Sequence, residues 1–392
     1  MLRIGLVGCG GRGTGAAVNA LRADPNVKLV ALGDTFADHL ESSLNSLATS
    51  EDTADIHAKV QVDPEHRFVG WDAYRGVIDS CDVVLLATSP HFRPLHLRAA
   101  VEAGKHVFVE KPIATDAPGV RSVFETCRMA AEKKLSIVSG LCYRYERKKR
   151  ETLQRIHDGA LGEIVAMHTT YNAGGLWHRG RKPEWSEMEY QMRNWLYFTW
   201  LSGDHIAEQH IHSLDKIAWA MGDYPARCLS TGGRTVRTEP EYGHVYDHFS
   251  TVYEWANGVK GFSYCRQWAG QVQTEVSDWI FGTRGRANIQ AAEIAAGPAW
   301  NWRWREDEPD DMYQNEHDAL FAAIRRGEPI QNGEYMCKST LMAIMGRMSA
   351  YTGQPITWDQ AWNSQEDLSP KAYEWGAIET PPVARPGVTQ FV

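Results

Sequence analysis

Two short segments carry the residue types best suited to moving a proton and a hydride. Lys111 lies in Glu110-Lys111-Pro112, directly after the apolar run His106–Val109. A lysine there can hydrogen-bond or protonate an oxygen on a carbon undergoing hydride transfer, and the proline can fix the turn, a cis bond being one way to do so. The second segment, Gly203 to Met221, reads as a helix. At about 100° per residue Asp204, Glu208, His212 and Asp215 fall in one stripe about 80° wide. Ala207, Ile211, Leu214, Ala218 and Met221 form an apolar stripe about 100° away, so the acid–histidine stripe borders the buried face. A carboxylate one turn from a histidine orients the ring and stabilises its protonated form, which suits a general base. The plain alternatives are a surface lysine and a salt-bridge ladder on a helix.

A third pattern opens the chain. Arg3–Val7 leads into Gly8-x-Gly10-x-x-Gly13, and Thr14 to Arg22 reads as a helix. This order suits a dinucleotide phosphate site: a tight turn at Gly8, room for pyrophosphate at Gly10, close helix–strand packing at Gly13. The helix N-terminus adds unpaired N–H groups and partial positive charge. A second apolar run, Val27–Leu32, ends at Asp34, 21 residues beyond Gly13. A carboxylate there accepts from ribose hydroxyls and repels a 2′-phosphate, which favours NAD, with NADP the alternative.

The elements that must hold these residues follow from the apolar runs. Arg3–Val7, Lys28–Leu32, Asp82–Ala87, His106–Val109 and Leu135–Ser139 read as strands, with helical patterns between them at Leu95–Ala103 and Val120–Lys134. Such alternation predicts a doubly wound parallel α/β sheet with helices on both faces. Ligands sit at the carboxyl ends of such strands, so Asp34, Thr88-Ser89-Pro90-His91 and Glu110-Lys111-Pro112 are expected to rim one crevice. After Leu141 the pattern changes. A helix at Arg147–His157 precedes strands at Glu163–Tyr171, Ala226–Arg234, Asp247–Trp255, Gly261–Trp268 and Glu275–Phe281, with a hairpin turn at Asn257-Gly258. Tight turns predict an α+β domain with a mostly antiparallel sheet. Glu316–Arg326 and Met336–Thr352 read as late helices. We expect a dinucleotide domain over 1–141, a substrate and oligomerisation domain over 142–369 whose late helices pack back on the first, and an extended tail over 370–392.

Bulk properties narrow the partners. A chain of 392 residues is long for one core, and a net charge of −8 with an isoelectric point near 6.0 argues against nucleic acid. No apolar run reaches the ~18–20 residues of a membrane span, and with a strand expected from the start of this sequence no secretion signal is expected within it. Seven scattered cysteines without a Cys-x-x-Cys pair fit reduced thiols, so a cytoplasmic location is expected. No metal is expected: on the helical wheel His210 points about 160° from His212, so the pair cannot chelate one ion. His205, about 20° from His212, is a site neighbour on the same wheel. Fourteen of the fifteen tryptophans follow residue 150. Clusters such as Trp177, Trp185, Trp195, Trp200 and Trp300, Trp302, Trp304 suit sugar faces or a subunit interface equally well.

Gly8-x-Gly10-x-x-Gly13, the run from Asp82 to Ala-Thr-Ser-Pro-His, and Ala103-Gly-Lys-His-Val-Phe-Val-Glu-Lys-Pro112 together resemble the Gfo/Idh/MocA oxidoreductases. The resemblance covers nearly the whole chain. It implies an N-terminal Rossmann domain, a C-terminal domain on a large open sheet, and a homodimer or homotetramer. Lys111 matches the family's catalytic lysine and His212 its histidine; Glu208 stands where an aspartate is usual. Ser202-Gly203-Asp204 takes the place of the glycine run before that motif. Cofactor contacts are implied for Gly8, Gly10, Gly11, Arg12, Gly13, Asp34, Thr88, Ser89, His91, Glu110, Lys111 and Arg144. Substrate contacts are expected from Lys111, Tyr145, Trp177, His178, Arg179, His205, His212 and Arg266, with Tyr264 a weaker candidate. The implied activity is nicotinamide-dependent oxidation of a secondary hydroxyl on a sugar, cyclitol or derivative. Redox-neutral glycoside cleavage or epimerisation with recycled NAD is the alternative, and a non-catalytic NAD-binding sensor a more distant one.

Overall fold

The apolar runs near the start of the chain have no polar face, so strands built from them must be covered on both sides. In the computed structural model, which describes residues 1–297, 300–305 and 309–392, they form a six-stranded sheet. Its strands are β1 (Leu2–Val7), β2 (Val27–Asp34), β3 (Arg67–Val69), β4 (Val83–Leu86), β5 (His106–Val109) and β6 (Ile137–Ser139). All run parallel, in the order β3-β2-β1-β4-β5-β6. Ile4, Leu6, Val83, Leu85 and Phe108 form its core with Ala16, Ala17 and Ala20 of the helix Gly11–Ala23.

The chain divides into two compact units. The first comprises Met1–Ala114, Arg121–Tyr145 and Asp311–Cys337; the second comprises Thr115–Val120, Glu146–Asp310 and Lys338–Val392. The boundary therefore falls at Tyr145, and the helix Met312–Arg326 belongs to the first unit. Leu320 and Phe321 of that helix enter the core, Gln314 accepts from Asn19 at 3.1 Å, and Arg325 pairs with Asp24 at 2.7 Å. The residues beyond Pro370 are part of the second unit.

The second unit is built on nine strands: β7 (Ile164–Ala173), β8 (Arg227–Gly233), β9 (His248–Glu254), β10 (Lys260–Gln267), β11 (Glu275–Gly282), β12 (Gly285–Asn288), β13 (Glu293–Ala296), β14 (Trp300–Arg303) and β15 (Ile356–Thr357). Their order is β14-β13-β12-β11-β7-β10-β9-β8-β15, with β7 and β10 parallel and the other pairs antiparallel. The period of two sorts residues cleanly. Ile280, Met167, Gly261, Tyr253 and Cys228 line up across five strands and are all buried. The next row, Trp279, His168, Phe262, Val252 and Leu229, is part-exposed or exposed throughout. The Asn257-Gly258 turn joins β9 to β10, with Gly258 at φ +86°. All seven cysteines are buried and unbridged, and no helix among the described residues is long and apolar enough to cross a membrane.

Candidate functional site

At the end of β1 the chain turns at Gly8, φ +96°, where a Cβ would lie 2.6 Å from the backbone of Ala87 and Thr88. A side chain at Gly13 would overlap the Gly8 carbonyl oxygen, so the helix packs directly on the turn. By contrast, Cβ positions at Gly10 and Gly11 meet nothing within 4 Å. No side chain caps this helix and its first turn holds no acid, so its leading amides and dipole are available to an anion. The cradle fits a dinucleotide pyrophosphate. At the end of β2, Asp34 accepts N–H groups from Cys9 at 2.6 Å and Phe36 at 2.9 Å. A carboxylate has about four acceptor positions, so capacity remains for ribose hydroxyls.

The strand order reverses between β1 and β4, and the expected residues cluster at the strand ends there. Thr88, Ser89 and His91 follow β4; Glu110 and Lys111 follow β5, with a cis Lys111–Pro112 peptide. Arg93, 4% exposed, ties the two loops together by donating to Pro112 O at 2.5 Å and Thr88 O at 2.7 Å. Nothing in its sequence context marks it for that task. Glu110 is buried; it receives Arg12 Nε at 2.5 Å and the Lys111 N–H at 3.0 Å. Arg12 also reaches the buried Glu316 at 3.0 Å. Burial pushes the Glu110 carboxyl up, but the cations of Arg12, Lys111 and Arg93 outweigh it and hold it below the usual range. For Glu316, burial and the charge on Glu110 win, and its pKa stands well above the usual range. The Arg12 side chain is spent on this pair, which leaves its backbone amide to the helix start. Arg144 lies 4.3 Å from the Tyr335 ring, and Tyr145 OH donates to Asn332 at 2.8 Å.

In the second unit the expected single helix from Gly203 to Met221 is two, His205–Glu208 and Ile211–Met221. At the break His210 N–H bonds five residues back, to His205 O at 3.0 Å. Asp204 is not on the helix face. It sits before the first helix at φ +68°, buried, accepting from His205 N–H at 2.6 Å, Tyr246 N–H at 2.8 Å and Tyr351 OH at 2.6 Å. Burial pushes its pKa up, but hydrogen bonds from His205, Tyr351 and Tyr246 bring it below the usual value. Asp215 is buried too, receiving Ser339 OH at 2.6 Å. His205 is 4% exposed and packs on Phe249, while His210 lies 2.6 Å from Ser263 Oγ. Between Leu201 and Lys216 only Glu208, Gln209 and His212 are part-exposed. The open edge is therefore narrower than the stripe read from the wheel, and it includes Gln209.

The loop expected to meet substrate is bound to its own unit. His178 lies 3.0 Å from Tyr190 OH, and the Arg179 N–H donates to Asn194 at 2.8 Å. Trp177 is 44% exposed, with the Arg179 guanidinium 5.5 Å from its ring centre. Arg266, on β10, donates to Gln273 O at 2.6 Å and lies 4.5 Å from the Trp268 ring centre.

One polar group escaped the sequence reading. Asp247 accepts the N–H groups of Thr235, Val236 and Arg237 at 2.8, 2.7 and 2.9 Å, and lies 2.8 Å from His248 Nδ1. Burial raises its pKa, yet these bonds together hold the carboxyl well below the usual range. Asp247 thereby fixes Arg237, which donates to Gln267, which in turn donates to Gln209. The four residues are far apart in sequence and carry no spacing signal.

A parallel sheet in this order, with a glycine turn, an uncapped helix start and an acid after the second strand, is a dinucleotide-binding Rossmann domain. Residues 2–140 match the model of the oxidoreductase family with an NAD-binding Rossmann fold, and residues 150–288 match the GFO/IDH/MocA C-terminal domain. The chain belongs to the GFO/IDH/MocA family, and its first unit carries the NAD-binding fold. It is 26% identical over 215 residues to 2,7-anhydro-N-acetylneuraminate hydratase of Escherichia coli, covering 55% of this chain and 53% of the hydratase. It thus spans about half the length of that curated relative. It is 22% identical to inositol 2-dehydrogenase of Rhizobium meliloti over 340 residues, 84% of this chain and 90% of that enzyme. The crystal structure of scyllo-inositol dehydrogenase from Lactobacillus casei with bound NAD(H) and scyllo-inositol shares the fold, with a TM-score of 0.68 at 17% identity, covering 92% of this chain and 99% of that one.

Proposed function

We propose that the protein oxidises a secondary hydroxyl of a sugar, cyclitol or derivative. Bound NAD supplies the nicotinamide ring that accepts hydride from the alcohol carbon. Lys111 donates a hydrogen bond from Nζ to the hydroxyl oxygen and stabilises the charge that grows there as the proton leaves. His212 takes that proton, and Glu208 orients its ring. The reading is carried by the register of Lys111 and His212 within a member of an oxidoreductase family. Trp177, His178 and Arg179, whose rings and cations suit a hydroxyl-rich or acidic sugar, are assigned to substrate recognition together with Tyr145 and Arg266. The outward row from Trp279 to Leu229 is the surface we assign to a homodimer or homotetramer.

The purified protein is expected to reduce NAD with one or more members of a panel of inositols and sugars, read by cofactor absorbance. Lys111→Ala and His212→Ala should each lower turnover by roughly 10²–10⁴-fold with the cofactor still bound. Full turnover in both variants overturns the assignment. The hydratase relative supports a second reading, in which oxidation at one carbon enables elimination at another and the cofactor is recycled. Consumption of an anhydrosugar or glycoside without net cofactor reduction selects it.

A further inference from the structure

The chain Arg237, Gln267, Gln209 has a direction, set at its buried end. A guanidinium only donates. Arg237 Nη1 lies 3.1 Å from Gln267 Oε1, so that oxygen must face the arginine and the Gln267 NH₂ must face away. Gln267 Nε2 lies 2.5 Å from Gln209 Oε1, so Gln209 spends its oxygen inward. Arg237 cannot swing aside: its other terminal nitrogen donates to Tyr246 O at 2.7 Å and its backbone N–H to Asp247 at 2.9 Å. Arg237 and Gln267 are 7% and 2% exposed, so water cannot stand in for a reversed bond. An amide turned over keeps its shape, but turning either glutamine here would set donor against donor or acceptor against acceptor. The open end is the Gln209 amide nitrogen, which meets no acceptor among the described residues, beside part-exposed Glu208 and His212.

We propose that Gln209 is a specificity-determining residue that reads a substrate oxygen as an acceptor, on a carbon flanking the one oxidised. The substrate class is a polyol or sugar whose flanking position bears a lone-pair oxygen, and flanking deoxy compounds are discriminated against. The inference rests on the proposed role of His212.

The test measures kcat and KM, with saturating NAD, for myo-inositol and D-glucose, each beside its monodeoxy and monodeoxyfluoro derivatives. Fluorine accepts a hydrogen bond without donating one. In the natural protein the fluoro compound should stay within about threefold of the parent KM while the deoxy compound rises about tenfold, the scale of one hydrogen bond. Gln209→Leu should raise the parent KM about tenfold, leave kcat within about twofold, and erase the fluoro–deoxy difference. Gln267→Glu inverts the chain: its second oxygen needs a donor, so Gln209 turns over and offers its carbonyl. The parent hydroxyl can donate to that carbonyl, so its KM is kept, but the fluoro compound should fall to the deoxy level or below. Unchanged ranking in both variants overturns the inference and leaves the proposed oxidation standing. No turnover by any of the three proteins, with NAD bound, overturns that reading and the inference with it. If Gln267→Glu lowers the thermal midpoint, Gln209→Leu, at a part-exposed position, decides alone.

Discussion

Arg12 holds Glu110 ionised and shares Glu316 with it, so one cation serves two buried carboxyl groups. Removing one partner of such a set leaves an uncompensated buried charge, at a cost of about 3–5 kcal/mol. Arg12→Met should therefore lower unfolding free energy by about 3 kcal/mol in urea titrations. Adding Glu110→Gln should restore part of it, because a neutral amide needs no counter-charge; an unchanged double variant would locate the loss in packing instead. Glu110 and Lys111 were legible because they follow an apolar run at a strand end. Arg93, Arg237 and Gln267 were not, since an arginine that clamps backbone carbonyls looks in sequence like one on the surface.

Elements were read where the apolar period was strong. The continuous apolar runs of the first sheet and the helix Arg147–His157 emerge as expected, and so do the strands flanking the Asn257-Gly258 turn. β3, β12, β13, β14 and β15, of two to four residues, combine that shortness with the lack of a continuous apolar run, and the sequence does not show them. The break between His205–Glu208 and Ile211–Met221 was missed for another reason: each half keeps helical spacing, and only the wide turn at His210 reveals it, while the positive φ at Asp204 sets where the first half begins. A non-glycine residue at such a φ costs roughly 1–3 kcal/mol, offset here by the three hydrogen bonds its carboxylate accepts. Asp204→Ala loses the bonds and keeps the strain, and should destabilise by about 3 kcal/mol. Asp204→Gly loses the same bonds but relieves the strain, so it should recover about 1 kcal/mol of that in the same titration.

Across the whole molecule, acid sensitivity is set by histidines that fold neutral. Burial, the largest cause in each, lowers His96 and His210 to about 3 and His244 to about 4. Between these values and the ordinary 6.5 the unfolded chain binds more protons than the folded one, so stability is full above about pH 6.5 and falls as pH drops. Each such histidine removes about 2 kcal/mol at pH 5. Thermal midpoints should fall from pH 7 to pH 5, and His210→Gln should flatten that slope; an equal slope would remove His210 from the account. The two-unit division has a consequence for synthesis as well. The glycine turn leaves the ribosome first, yet Glu316, Leu320 and Phe321, which complete the unit around it, are made about three hundred residues later. Domains generally fold in the order they are made. Here the nascent nucleotide cradle must wait, with its core open, while the long Glu146–Asp310 stretch of the second unit is translated, and a chaperone would find it there.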